Sequence, residues 1–290
     1  MSSLKTTNIL HPSSASNNIV LDSSGRVLVG PSTSRNVASG GAATVQVESS
    51  GFRHLSLVQN SNDDNGVQLN FGKSRGTAVG GTTIVQSGDE IARLRFAGAN
   101  GSDVETVAAE IRCTIDGTPG VGDMPGRISF HTTADGASSP TERLRITSTG
   151  QVRLAGAGIT FNGDTATANE LDDYEEGTWT PTAGSGATLS SITGTYVKIG
   201  KLVYASCTGL VTTTGLPPTG HLGGLPFSGS GSTGAHAVRN SSNLYNSFNG
   251  AAYVSDTTIY IQNSTGTGSA SFQANLTNVG FGINAIYTVA

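Results

Sequence analysis

The chain has 290 residues, of which only 36% are hydrophobic and 6% aromatic, too few for one compact enzyme core, so its apolar surface must be shared between copies or drawn out along the chain. Charged residues make up 12% and glycine numbers 40, against usual shares of about 25% and about 7%, which points to a β-rich, turn-rich surface protein. The net charge of -4 and singly dispersed arginines exclude a phosphate-neutralising surface and hence nucleic acid as partner; with no apolar leader and no apolar run of about 18 residues, neither signal-directed export nor membrane insertion is expected.

Residues 1 to 18 are rich in Ser, Thr and Asn, with Leu4, Ile9 and Leu10 as large apolar groups. These cannot offset ordering costs of about 1–2 kcal/mol per residue, so the arm is expected to be disordered alone and to order by docking on a partner. From Ile19 to Gly30 two short alternating strands flank a turn over Asp22 to Gly25, a hairpin pattern. The pattern recurs at 144–155, where Leu144, Ile146, Val152 and Leu154 match Ile19, Leu21, Val27 and Val29, and Gly150 matches Gly25. Arg145 and Arg153 replace Val20 and Leu28, which suggests that those positions face outward. Residues 1–30 are therefore read as an attachment arm and first hairpin.

Residues 31–156 are read as a β-rich shaft. Strands are expected at 54–59 and 67–71 around a polar tip, then at 92–96, 109–115 and 127–131, each with one apolar edge such as Leu94 and Phe96 or Ile111, Cys113 and Ile115. Such slim strands bury little within one chain, whereas three chains around one axis could cover all the one-sided edges. Residues 157–177 form a neck, in which 165–176 could make one or two helical turns before Gly177. Residues 178–290 contain the aromatic-richer strands, expected at 194–211 with a turn near Gly200, then 222–227, 244–254, 257–262, 271–277 and 279–289. About six to nine short strands with glycine turns describe a jelly-roll-like β-sandwich head.

The acidic joint Leu171-Asp-Asp-Tyr-Glu-Glu-Gly-Thr-Trp-Thr-Pro181, running on to Gly194-Thr-Tyr-Val-Lys-Ile-Gly-Lys-Leu-Val-Tyr204, resembles the distal part of tail fibre proteins of marine tailed phages, cyanophages among them. Glu142-Arg-Leu-Arg-Ile-Thr-Ser-Thr-Gly-Gln-Val152 is similar to a recurring segment of phage fibre shafts, and Asn18 to Val27 to the way such fibres open. The resemblance implies an elongated trimeric β shaft with a C-terminal β-sandwich head: a homotrimer of the virion, made in the host cytoplasm. It implies an N-terminal arm held by virion tail or adaptor proteins, and a head that touches a host cell-surface glycan or protein.

No nucleophile–base motif or phosphate loop is present, and His11, His54, His131, His221 and His236 share no ligand spacing, so neither enzyme activity nor a cofactor is expected. Cys113 and Cys207 are read as two free thiols among apolar strand residues. The carboxylates Asp172, Asp173, Glu175 and Glu176 could serve a glycan-degrading tailspike, but crowded acids in a polar neck are solvated rather than catalytic. That alternative also lacks the 20–30-residue rung repeat of a β-helix. A capsid decoration or adaptor protein is the other alternative. Candidate receptor contacts are Tyr245, Phe248 and Tyr253, aromatic side chains interleaved with Asn, Ser and Gly, which can stack on sugar with little entropy loss.

Overall fold

The computed structural model describes residues 7–14, 18–38, 40–156, 158–184, 186–213, 220–240, 245–246, 248–263, 271–272 and 277–289, with side chains left out over 231–251 and 262–276. The protein is all-β apart from one 3-10 turn at Thr167–Asn169 among the described residues. It divides into two compact units, Met1–Gly156 and Ala157–Ala290.

The N-terminal unit holds two sheets. The first contains β1 (Asn8–Ile9), β2 (Ile19–Leu21), β3 (Val27–Val29) and β4 (Val45–Val47) in that order, with β3 and β4 parallel. The arm is thus not wholly unordered: Asn8 and Ile9 pair with Val20 and Ile19, because an unpaired hairpin edge offers backbone groups that an adjoining extended stretch can satisfy. The hairpin has Ile19 opposite Val29 and Leu21 opposite Val27. Its turn is tied by Asp22, whose carboxylate accepts from the Ser24 and Arg26 amides at 2.9 and 3.0 Å and from Arg26 Nε at 2.8 Å. Contact with the Arg26 guanidinium holds the Asp22 carboxyl down at about 2.

The second sheet is a meander of β5 (Glu90–Gly98), β6 (Thr106–Ile115), β7 (Gly126–Thr132), β8 (Thr141–Ile146) and β9 (Val152–Leu154). In β8 and β9, Leu144 lies opposite Leu154 and Ile146 opposite Val152, which repeats the register of the first hairpin. Gly25 and Gly150 close the two turns at φ +77° and +81°, a backbone region that glycine adopts freely. The faces differ from expectation, however: Val20 and Leu28 are buried in the first hairpin, whereas in the second copy Arg145 is half-buried and Arg153 exposed.

Strands were expected at 54–59 and 67–71. Neither forms: residues 49–73 are all exposed and carry no strand pairing within the chain.

The C-terminal unit is a two-sheet sandwich. Its strands are β10 (Tyr174–Trp179), β11 (Thr182–Ala183), β12 (Ala187–Ile199), β13 (Leu202–Thr213), β14 (His221–Gly223), β15 (Gly229–Asn240), β16 (Tyr245–Asn246), β17 (Phe248–Ser255), β18 (Thr258–Asn263), β19 (Ser271–Phe272) and β20 (Val279–Val289). One sheet runs β10-β12-β13-β20-β15 and the other β11-β14-β18-β17, with β16 and β19 paired separately. Alternation along β13 and β20 sends Val203, Cys207, Ile283 and Tyr287 inward, where they meet Leu222, Val254, Ile259 and Ile261 of the other sheet in one buried cluster. The predicted helical turns at 165–176 shrink to the 3-10 turn, because Tyr174, Glu175 and Glu176 are recruited as the start of β10 against Ile199, Lys198 and Val197.

Both cysteines are free thiols; Cys207 is buried in the sandwich and Cys113 half-buried on β6. No helix among the described residues is long and apolar enough to cross a membrane.

Candidate functional site

The four-stranded sheet presents its second face away from the core. Ile259, Ile261, Val254 and Leu222 are buried, so the period of two places Tyr260, Tyr253 and His221 on the opposite face. Register aligns these three: His221 sits across from Tyr260 on β14 and β18, and Tyr260 across from Tyr253 on β18 and β17. The Tyr253 and Tyr260 rings stack at 5.0 Å with 14° between their planes, and the His221 ring lies 5.7 Å from Tyr260 at 36°. All three are half-buried. Tyr253 stands on the edge strand of this sheet and ends the row. One of its ring faces packs on Tyr260; the other meets no further ring among the described side chains.

Two residues along each strand runs a second row, Thr182, Gly223, Thr258 and Ser255, matched by the same pairings. Gly223 permits a close approach here: a Cβ at that position would lie 2.8 Å from Thr182 Oγ1 and 3.7 Å from Thr258 Oγ1. The glycine therefore lets the Thr182 hydroxyl close over the strand, with the Thr258 hydroxyl beside it. These two rows contain no carboxylate, lysine or arginine. The surface pairs aromatic faces and hydroxyl donors without net charge, the chemistry that binds a neutral polyhydroxylated ligand.

The structure keeps one predicted contact, Tyr253, in this surface. The backbones of Tyr245 and Phe248 lie in β16 and β17, and their side chains fall outside the described residues. Tyr260 and His221 were missed because each sits inside a strand pattern. The signal was legible in Thr258-Ile-Tyr-Ile-Gln262, where two isoleucines flanking the tyrosine put its ring on the other face.

The acidic joint is occupied structurally. Asp173 pairs with Lys198, whose ammonium also lies 5.4 Å from the Phe227 ring centre; Glu175 accepts from the Tyr196 hydroxyl and Glu176 from that of Tyr174 at 3.1 Å. Hydrogen bonding to these carboxylates pushes both phenols above their ordinary range. No group of three His, Cys, Asp or Glu with metal-binding geometry occurs among the described residues.

No family model matches the sequence, and no curated protein matches it. Among solved structures the chain is similar to the carboxy-terminal domain of the bacteriophage T5 L-shaped tail fibre, with a TM-score of 0.40 and 11% identity, over 51% of this chain and 68% of that one.

Proposed function

We propose that the chain is a non-enzymatic, fibre-like attachment protein of a phage virion, acting as a homotrimer whose C-terminal sandwich holds a neutral glycan on the host surface. The observation that carries the glycan reading is the uncharged face on which the Tyr253–Tyr260 stack runs beside the Thr182, Thr258 and Ser255 hydroxyls. A sugar ring would lie against the open face of Tyr253 while its hydroxyls reach the threonine and serine oxygens. The sequence likeness of the acidic joint and the 142–152 segment to marine phage fibres supports the virion setting, with the N-terminal arm engaging a tail or adaptor protein.

The two outer faces of the sandwich divide this work. The five-stranded sheet exposes Tyr174, Ile199, Leu202, Tyr204 and Ile286 on its outer side, a patch too apolar for a free surface and suited to contact with another copy. The aromatic and hydroxyl face of the other sheet is left for the ligand.

Adsorption of the purified protein to host cells tests this reading. Tyr253→Ala and Tyr260→Ala should each weaken adsorption by about 1 kcal/mol per site, amplified by three-fold avidity, with little change between low and high salt because no charge takes part. Variants that stay folded, judged by Trp179 fluorescence, and adsorb like the wild type would refute it, as would binding that collapses with ionic strength.

A further inference from the structure

The meander β5–β9 is built with its polar side finished and its apolar side bare. On the polar side Glu110 is 2% exposed and ion-paired to Arg93, Arg95 and Arg112, while Ser129 and His131 hydrogen-bond at 2.9 Å. On the other side, register lines up Leu94, Ile111, Phe130, Leu144 and Leu154 in one row across all five strands. A second row joins Cys113, Ile128, Ile146 and Val152. Phe96 is 55% exposed and Val152 63%. Leu94, Ile128, Phe130, Ile146 and Leu154 are exposed as well, so the two rows form one contiguous apolar face, the kind of patch that marks an interaction surface.

The same chain carries a second unsatisfied element. Residues 49–73 are exposed throughout, yet they include Phe52, Leu55, Leu57, Val67, Leu69 and Phe71. Among the described residues, no backbone-to-backbone hydrogen bond ties residues 52–73 to other parts of the chain. Apolar side chains at alternate positions, 55 and 57 and then 67, 69 and 71, are the pattern of a strand with one face to bury. The chain does not place this stretch on its own sheet, since both remain exposed. A surface and a strand that each lack a cover, on one molecule, are complementary between molecules.

We infer that residues 52–73 of one copy dock on the apolar face of the β5–β9 sheet of a second copy, as a strand exchange that repeats around the assembly. The inference rests on the self-association in the reading above and adds which surfaces meet. Docking covers Leu94, Phe96, Ile128 and Phe130 with Leu55, Leu57, Leu69 and Phe71, and the segments 54–59 and 67–71, held on that face, pair their backbones with each other, since a sheet face offers side chains and no backbone partners. It does not touch the ion pairs around Glu110, which each copy completes alone.

Hydrogen exchange on the full-length protein, with light scattering for its mass, tests the inference in wild type and in Ile128→Asp. Ile128 is 43% exposed, so the single chain accommodates the carboxylate, and circular dichroism checks that the sheet persists. The expected result is an assembled wild type in which amides of 54–59 and 67–72 exchange at least about 100-fold more slowly than an unstructured peptide, and an Ile128→Asp protein in which that protection is lost. An assembled wild type with fast exchange there overturns the docking and leaves the glycan reading standing. Protection that survives Ile128→Asp places the strand on another surface and overturns it as well. A wild type that is monomeric at micromolar concentration overturns both the docking and the trimer.

Discussion

The two units use the same strand-and-turn vocabulary with opposite polarity. In the C-terminal sandwich, β13 and β20 turn Val203, Cys207, Ile283 and Tyr287 into a core closed by a second sheet of the same chain. In the N-terminal unit, the β5–β9 meander turns Glu110, Ser129 and His131 to its sheltered side and leaves Leu94, Phe96 and Ile128 in water. The difference is one of supply: the sandwich has two facing sheets to bury against each other, whereas among the described residues no second sheet lies over the meander's apolar side. A charged network can be sheltered on one side when each carboxylate meets arginines, as Glu110 does. Burial alone would raise its carboxyl, but the Arg112 and Arg93 guanidiniums outweigh that and hold it below the usual range. Burial, and after it the Arg112 guanidinium, lower the His131 imidazole from its ordinary value. One unit therefore closes its apolar faces on each other, while the other keeps an apolar face in water.

The sharpest way to break this comparison is to put the same charge at matched strand positions. Ile283→Asp, at a site 1% exposed, should cost the sandwich about 4 kcal/mol or more through an unpaired buried carboxylate and abolish its cooperative melt. Ile128→Asp should leave the monomer fold intact. Equal destabilisation by the two substitutions, measured by chemical denaturation, would show that the meander's apolar face is a core already closed.

Titration separates the units next. Burial pushes the Cys207 thiol up to about 11 and the Tyr287 phenol up to about 12. Above about pH 9 the unfolded chain therefore sheds protons that the folded sandwich retains, so stability is full below that pH and falls by about 3–4 kcal/mol at pH 11. The N-terminal unit responds at the other end. Asp22, Asp89 and Glu142 are lowered by Arg26, Arg75 and Arg145 respectively, and Asp116 by the Ser148 amide and then Arg127. The stability these add is present above about pH 4 and lost as acid protonates them. Hydrogen exchange at pH 3 and pH 11 should open the N-terminal unit first in acid and the sandwich first in alkali; the reverse order would contradict the assignment.

The smallest effect tests the repeat inside the N-terminal unit. Gly25→Ala and Gly150→Ala each force a side chain into the left-handed region, with open space around the added carbon, and should each cost about 1 kcal/mol from backbone strain alone. Unequal costs in the two copies would show that one of the turns is held by something beyond its own hydrogen bonds.

The elements read most easily from sequence are those whose partner lies next in the chain. The 19–30 hairpin, the 92–96, 109–115 and 127–131 strands, the turn at Gly200 and the 279–289 strand all stand where alternation put them. Strand β15 was not legible because Gly229-Ser-Gly-Ser-Thr-Gly has no alternation, and it becomes a strand by pairing with β20. Segments 54–59 and 67–71 have alternation but no intrachain partner, so pattern alone overstated what one chain can pair. The orientation of Val20 and Leu28 was misread for a related reason: both faces of that hairpin are apolar, and period two then cannot say which is covered. Of the candidate site, Tyr253 was legible from its polar neighbours, whereas Tyr260 and His221 required the cross-strand register.

The place of β20 between β13 and β15 sets the order in which a newly made chain can complete its sandwich. A ribosome releases β10 through β15 first, and β15 joins its sheet only through β20. Until residues 279–289 emerge, β13 has one open edge and β15 lacks its ladder partner, tied to the earlier chain through the Gly229–Asp256 bridge. The nascent sandwich must therefore pass through a stage with two unpaired edges in the same molecule, closing late and through contacts distant in sequence, which makes it slow to form. During that interval the open edges are exposed to any other unfinished chain nearby, the condition under which incomplete sheets aggregate.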